Sequence, residues 1–210
     1  RALFDLVKQK EIPFQFVPGE KLNKIYRGSH QGVIGYMSQI DYLPFEAVVE
    51  KALAESPNPI FLMLDGVSDV RNFGAIVRSS ECAGVSGVIL PAKGGAAINA
   101  DAIKTSAGAL FRVPVSRVPN LRIPLYYMID AGFQVVGATE KVGGSIYEVD
   151  FTQPTVIVMG SEGKGISDSV LSLCNVKAAI PMSGQIGSLN VSVATAIVLF
   201  EAVRQRMPKI

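Results

Sequence analysis

Ser188 and Asn190 stand where a short apolar strand, a glycine-bearing loop and a long apolar helix meet, in the run Ile180-Pro-Met-Ser-Gly-Gln-Ile-Gly-Ser188-Leu-Asn190-Val-Ser-Val-Ala194. A helix mouth collects unpaired backbone N–H groups, so polar residues there either cap the helix or orient a ligand. An ordinary connection needs only a few residues and gains nothing from polar groups crowded among hydrophobic neighbours. A second such loop is Leu64-Asp-Gly-Val-Ser-Asp-Val-Arg71-Asn72-Phe-Gly74-Ala-Ile-Val-Arg78. Asn72 is a natural N-cap there, and Gly74, early in the helix, points to close backbone approach. Arg78, nearly two turns beyond Asn72, is expected on the same face. A guanidinium so placed can grip a phosphate bidentately; the structural alternative is a surface ion pair with Glu81.

The third loop, Val158-Met-Gly160-Ser-Glu162-Gly163-Lys164-Gly165-Ile-Ser167, invites a phosphate-loop reading that fails on spacing. Val158 stands where the motif needs its first glycine, and Gly165 where it needs Ser or Thr. No dinucleotide fingerprint follows the first strand. What remains is a backbone-rich cradle with one carboxylate and one ammonium, suited to a ligand held by main-chain groups. A Ser–His hydrolase has little support, because the one histidine, His30, lies far from Ser188 in sequence.

These loops need a frame to bring them together. From Ile60 onward, apolar strands at 60–64, 87–90, 113–117, 133–138, 155–159 and 177–180 alternate with helices at 73–83, 98–109, 120–131, 167–174 and 189–206. Gly84 and Gly132 sit where helix C-caps belong. The alternation predicts an α/β fold, a parallel sheet with helices on both faces, whose ligands bind beyond the carboxyl ends of the strands. Residues 43–58 read as a linker: an amphipathic stretch, Phe45–Ala54, closed by Ser56-Pro57-Asn58-Pro59. Residues 1–42, with a helical start at Ala2–Lys10 and extended pieces at Phe14–Val17 and Gly32–Met37, hold too little chain for an independent core. They read as the remainder of a trimmed N-terminal module.

Composition sets the outer bounds. Hydrophobic residues make up 49% and charged ones 18% of 210 residues, the balance of a well-buried globular protein. The runs Ile60–Leu64 and Val193–Phe200 are too short to span a bilayer. Cys82 and Cys174 read as buried thiols of a reducing cytoplasm, and one histidine with two cysteines makes a metal site improbable. A net charge of +2 leaves nucleic-acid contact to a local patch. The last helix is apolar nearly all round from Leu189 to Phe200, as in a helix buried in its domain or in a subunit interface.

Together the three loops resemble the motifs of the SpoU/TrmH group of RNA ribose 2′-O-methyltransferases in the SPOUT superfamily. The resemblance covers residues 60–207. It rests on Asp65-Gly-Val…Arg71-Asn72-Phe-Gly74…Arg78…Gly84, on Val156-Ile-Val-Met-Gly160-Ser-Glu162-Gly163-Lys-Gly165-Ile, and on Ile180-Pro-Met…Gly184…Ser188-Leu-Asn190-Val-Ser-Val-Ala194. It implies a methyltransferase domain over 59–210 with a C-terminal deep trefoil knot, preceded at 1–42 by a shortened module like ribosomal protein L30e that binds RNA. It implies S-adenosylmethionine as cofactor, contacted by Thr139, Gly160, Ile180 and Leu189. Arg78 is placed at the centre of methyl transfer to a ribose 2′-hydroxyl of rRNA or tRNA, oriented by Asn72, Glu162, Ser188 and Asn190. RNA is expected on Arg78, Lys104, Lys141 and Lys164. The resemblance further implies a homodimer through the final helix. The competing readings are an RNA-binding protein that keeps the fold without transferring methyl groups, and a nucleotide-binding oxidoreductase.

Overall fold

The structure, a computed structural model, describes residues 2–10, 12, 14–35, 40–140 and 144–207. The chain divides into two units, Arg1–Met37 and Ser38–Ile210.

The first unit contains helices α1 (Ala2–Gln9) and α2 (Gly19–Ile25). Phe4, Phe14 and Phe16 cluster edge to face and tilted, with ring centroids 5.3 to 5.8 Å apart. Lys8 lies 4.7 Å over the Phe4 ring. His30 bonds the Asn23 side chain through Nε2 at 2.8 Å and accepts from the Gly32 amide on Nδ1. Sequence reasoning missed α2, which buries no residue and so leaves no apolar stripe to read. The expected extended piece at Gly32–Met37 lies partly outside the described residues.

The second unit holds α3 (Phe45–Glu55), β1 (Ile60–Asp65), α4 (Val70–Cys82), β2 (Gly87–Pro91), α5 (Ala100–Thr105), β3 (Val115–Val118), α6 (Arg122–Asp130), β4 (Gln134–Ala138), β5 (Thr155–Gly160), α7 (Asp168–Leu171), β6 (Val176–Ala178) and α8 (Val191–Arg206). All strand pairs are parallel, in the order β3-β2-β1-β5-β4-β6. Side chains alternate across the pleat, so each strand feeds two cores. Ile60, Leu62 and Leu64 face one layer with Phe73, Ile76 and Val77 of α4, Ala102 of α5 and Val198 and Leu199 of α8. Phe61 and Met63 face the other, with Val48 and Val49 of α3, Leu125 and Met128 of α6 and Val170 of α7.

Residues 43–58 are therefore not a linker. Helix α3 buries Phe45, Val48, Val49 and Ala52 against the sheet, because its apolar positions recur at helical spacing. The expected helix at 98–109 stops earlier. Ala107 and Gly108 both take positive φ, which ends α5 and starts a short 3₁₀ turn at Ala109–Phe111. Gly84 and Gly132 hold the left-handed conformation of helix C-caps, as expected. Cys174 is buried, but Cys82 is exposed, because it falls on the outer face of α4. No helix among the described residues is long and apolar enough to cross a membrane.

Candidate functional site

Parallel strands deliver their following loops to one edge of the sheet. At that edge the loops after β4, β5 and β6 enclose a cavity of about 270 Å³. Its wall includes Thr139 after β4, Gly160 at the end of β5 with Glu162 just beyond it, and Ile180, Ser188 and Leu189 between β6 and α8. Val191 and Ala194, in the first turns of α8, complete an apolar side. The four residues expected to hold a cofactor, Thr139, Gly160, Ile180 and Leu189, thus share one wall.

The β5 loop is built to present backbone. Ser161 and Gly165 exchange amide hydrogen bonds at 3.1 and 2.9 Å, and Gly163 and Gly165 turn the chain with φ of +86° and +71°. A Cβ at Gly160 would overlap the main chain of Gly165 and Ile166, so no side chain fits there. From below, Asp65 at the end of β1 accepts from the Ser167 amide at 2.8 Å and from its hydroxyl at 2.6 Å. That tie fixes where the loop ends. Sequence reasoning quoted Asp65 within a motif and gave it no role; the signal was an acidic residue closing an otherwise apolar strand.

Three of the expected polar residues meet. Glu162 Oε1 accepts from Asn72 Nδ2 at 3.1 Å, from Asn190 Nδ2 at 2.8 Å and from the Val191 amide at 3.3 Å. Asn190 Nδ2 also donates to Asn72 Oδ1 at 3.0 Å. Asn190 Oδ1 caps α8 by accepting from the Ser192 and Val193 amides at 2.9 and 3.3 Å. The α8 cap is thus Asn190, and Ser188 sits exposed on the cavity rim. On α4 the cap is Asp69, which accepts from the Asn72 amide at 2.7 Å. Asn72 lies inside the helix rather than at its cap, which frees its side chain to reach across to Glu162.

Arg78 stands apart from this cluster. Six residues at 3.6 per turn carry it about 120° around α4 from Asn72, not onto the same face. It is exposed, lines no part of the cavity and makes no hydrogen bond or ion pair among the described residues. Its alternative partner, Glu81, pairs instead with Arg112 at 3.3 Å. Gly74 does mark a close approach, to α5: a Cβ there would lie 2.8 Å from the Ala102 carbonyl and from Thr105. Lys104 and Lys164 are exposed, Lys164 between two cavity-lining glycines. Lys141 lies outside the described residues.

Charge at the far end of α8 fixes that helix in place. The Arg204 guanidinium, hydrogen-bonded to Glu201 at 2.8 Å, holds the buried Glu201 carboxyl below its ordinary range. Arg206 donates to the carbonyls of Phe151 and Gln153 at 2.8 and 2.9 Å and to that of Asn58. Burial pushes the Cys174 thiol up to about 11, which removes it as a nucleophile near neutral pH.

With this geometry in hand, comparison with known proteins places the chain. A model of the RNA 2′-O ribose methyltransferase substrate-binding family matches residues 1–43. The 23S rRNA (guanosine-2′-O-)-methyltransferase RlmB of Pseudomonas aeruginosa is 38% identical over 99% of this chain and 84% of its own length. The crystal structure of the SpoU methyltransferase AviRb from Streptomyces viridochromogenes, in complex with AdoMet, matches with a TM-score of 0.67 and 31% identity over 72% of this chain. The AdoMet-bound rRNA methyltransferase of Sinorhizobium meliloti matches with a TM-score of 0.71 and 28% identity over 80%. The chain spans 59% and 62% of those two solved chains. A model of the SpoU rRNA Methylase family matches residues 59–200, which include every loop of the cavity, and the chain belongs to that family.

Proposed function

We propose that this protein transfers the methyl group of S-adenosylmethionine to a ribose 2′-hydroxyl of rRNA or tRNA. The observation that carries the reading is the cavity where Thr139 after β4, the Gly160 cradle at the end of β5, and Ile180 with Ser188–Leu189 before α8 converge from three separate connections. Its donors fit the cofactor: main-chain groups around a glycine that excludes any Cβ, set against an apolar wall of Ile180, Leu189, Val191 and Ala194. When bound, the cofactor supplies an activated methyl group and its own leaving group, so the protein's task is alignment.

The residues divide that task. Thr139, Gly160, Ile180 and Leu189 hold the cofactor. Glu162, through Asn72 and Asn190, locks the mouth of α8 to the β5 loop, and Ser188 faces the incoming ribose from the rim. Arg78 takes the phosphate beside the target sugar and stabilises negative charge developing on the 2′-oxygen. Its exposed, unpartnered guanidinium supports that role. Lys104, Lys141 and Lys164 add phosphate contacts, and residues 1–42 form the RNA-binding module that resembles L30e.

The same reading takes the segment from β6 into α8 as the threaded part of a trefoil knot, and α8 as a dimer interface. Val193 and Phe200 support the interface, because both are apolar residues of a central helix yet remain 48% and 49% exposed. Helix α4 packs on α8 through the shared core, so a dimer built on α8 carries Arg78 close to the seam between subunits. The test is incubation with cofactor labelled in its methyl group and total RNA from a strain lacking the protein. Label recovered as one 2′-O-methylated nucleoside is expected; label on a base, or none in any RNA, overturns the reading.

A further inference from the structure

The cavity occupies only one half of the sheet's carboxyl edge. On the other half, β1, β2 and β3 end side by side at Asp65, Pro91 and Val118, with Gly160 opposite Asp65 and Pro91 opposite Val118. Neighbouring strands lie about 4.8 Å apart, so this rim runs roughly 10 Å outward from β1.

Each of the three connections leads to one exposed cation: Arg71 in the first turn of α4 after β1, Lys93 in the loop after β2, and Arg122 at the start of α6 after β3. Arg71 and Lys93 have no ion-pair or hydrogen-bond partner among the described residues. The carboxylates of the first loop are engaged internally, Asp65 on Ser167 and Asp69 on the Asn72 amide. Against those two carboxylates the rim sets three exposed cations, Arg71, Lys93 and Arg122. Arg122 also stacks on Tyr126, its guanidinium carbon 5.7 Å from the ring centroid and its Nη2 donating to the hydroxyl at 3.0 Å. Tyr126 is 47% and the adjacent Ile123 55% exposed, an apolar ledge beside the cations.

The loop bearing Lys93 is held in shape. The Ala92 amide donates to the Val118 carbonyl at 2.7 Å, and Arg117 Nη2 donates to the Ala96 carbonyl at 2.8 Å. A Cβ at Gly95 would stand 2.6 Å from the Pro91 carbonyl, so the turn packs against its own strand. A mobile surface loop would carry none of these constraints.

We propose that this rim is the track for single-stranded RNA flanking the methylated nucleotide. Arg71 and Lys93 hold backbone phosphates, and the Arg122–Tyr126 stack with Ile123 receives an unstacked base. Aromatic rings and guanidinium planes are the surfaces on which unpaired bases stack, and free cations beside them follow the backbone. The proposal rests on the methyltransferase reading and extends it away from the cofactor.

The test measures fluorescence anisotropy of a short labelled single-stranded RNA of mixed sequence over a salt series. Wild type, Lys93→Ala/Arg122→Ala, Tyr126→Ala and Tyr126→Phe are compared, with cofactor affinity measured on each. The double variant is expected to weaken RNA binding about tenfold and to flatten the salt slope by about 0.7, since Lys93 is the one phosphate-neutralising cation it removes and Arg122 belongs to the base stack. Tyr126→Ala weakens binding at least about fivefold, and Tyr126→Phe restores it. RNA affinity and salt slope unchanged in both the double variant and Tyr126→Ala, while wild type still methylates RNA, would remove the track and leave the enzyme. A wild type that binds the cofactor yet neither binds nor methylates RNA would remove the enzymatic reading itself.

Discussion

Glu162 and Arg78 illustrate two ways a side chain can serve one reaction. Glu162 lines the cavity and gathers three donors on one oxygen, so it fixes both the β5 loop and the entry to α8. Arg78 touches none of those groups and stands free on α4. Their alanine variants should therefore separate. Arg78→Ala is expected to drop turnover below about a tenth of wild type with cofactor affinity within about twofold, because its contribution falls on the transition state. Glu162→Ala should lower turnover and weaken cofactor binding by about tenfold or more. Single-turnover methylation and cofactor titration on each variant check this; cofactor affinity lost in Arg78→Ala would contradict the division. The sequence made Glu162, Asn72 and Asn190 recognisable as a set. It pointed to Asn72 as a cap where the structure has Asp69, and the last helix is capped by Asn190 and not by Ser188, because all four are competent caps and only the backbone geometry chooses among them.

The elements explain why the loops hold their places. The six strands are bounded by glycine, proline or polar turns, and β1, β2 and β5 are nearly all apolar inside, so the existence and order of all six along the chain were readable within about two residues. Sheet order was not readable, because any apolar parallel strand can neighbour any other. The amphipathic stretch that forms α3 was legible, but its place in the core was not, for a different reason. Its proline-rich exit looks like a hinge, and its burial depends on a sheet face that forms from distant residues. The cysteines test the packing at this scale. Cys174 lies under β4, where a Cβ at Gly137 would stand 2.9 Å from its sulfur, whereas Cys82 is exposed. Iodoacetamide at neutral pH should label Cys82 and spare Cys174 until the protein unfolds, read by peptide mass; rapid native labelling of Cys174 would contradict the packing. The folded thiol titrates near 11 against about 9 unfolded. The folded state thus keeps a proton that the unfolded chain releases, and this contribution to stability is present below pH 9 and lost as pH rises toward 11. A Cys174→Ser variant should show a smaller decline in melting temperature over that window.

At the scale of the whole molecule, the exposed apolar residues of α8 and the cofactor cavity belong to the two ends of one construction. The first turns of α8 wall the cavity, and its outer face leaves Val193 and Phe200 exposed. On the proposed α8 dimer, Val193→Glu/Phe200→Glu should yield a monomer in light scattering and reduce methyl transfer, since that dimer carries Arg78 near its seam; an unchanged mass in the double variant would remove α8 from the interface. The central claim is narrower than assembly: loops from three strands close on S-adenosylmethionine around a glycine that admits no side chain. Calorimetric titration of S-adenosylmethionine into wild type and Gly160→Val, with NAD as the control ligand and circular dichroism to confirm folding, tests it most directly. One saturable site in wild type, no heat with NAD and loss of that site in a folded Gly160→Val is the predicted result. Undiminished binding in a folded Gly160→Val, or no binding in wild type, would contradict it.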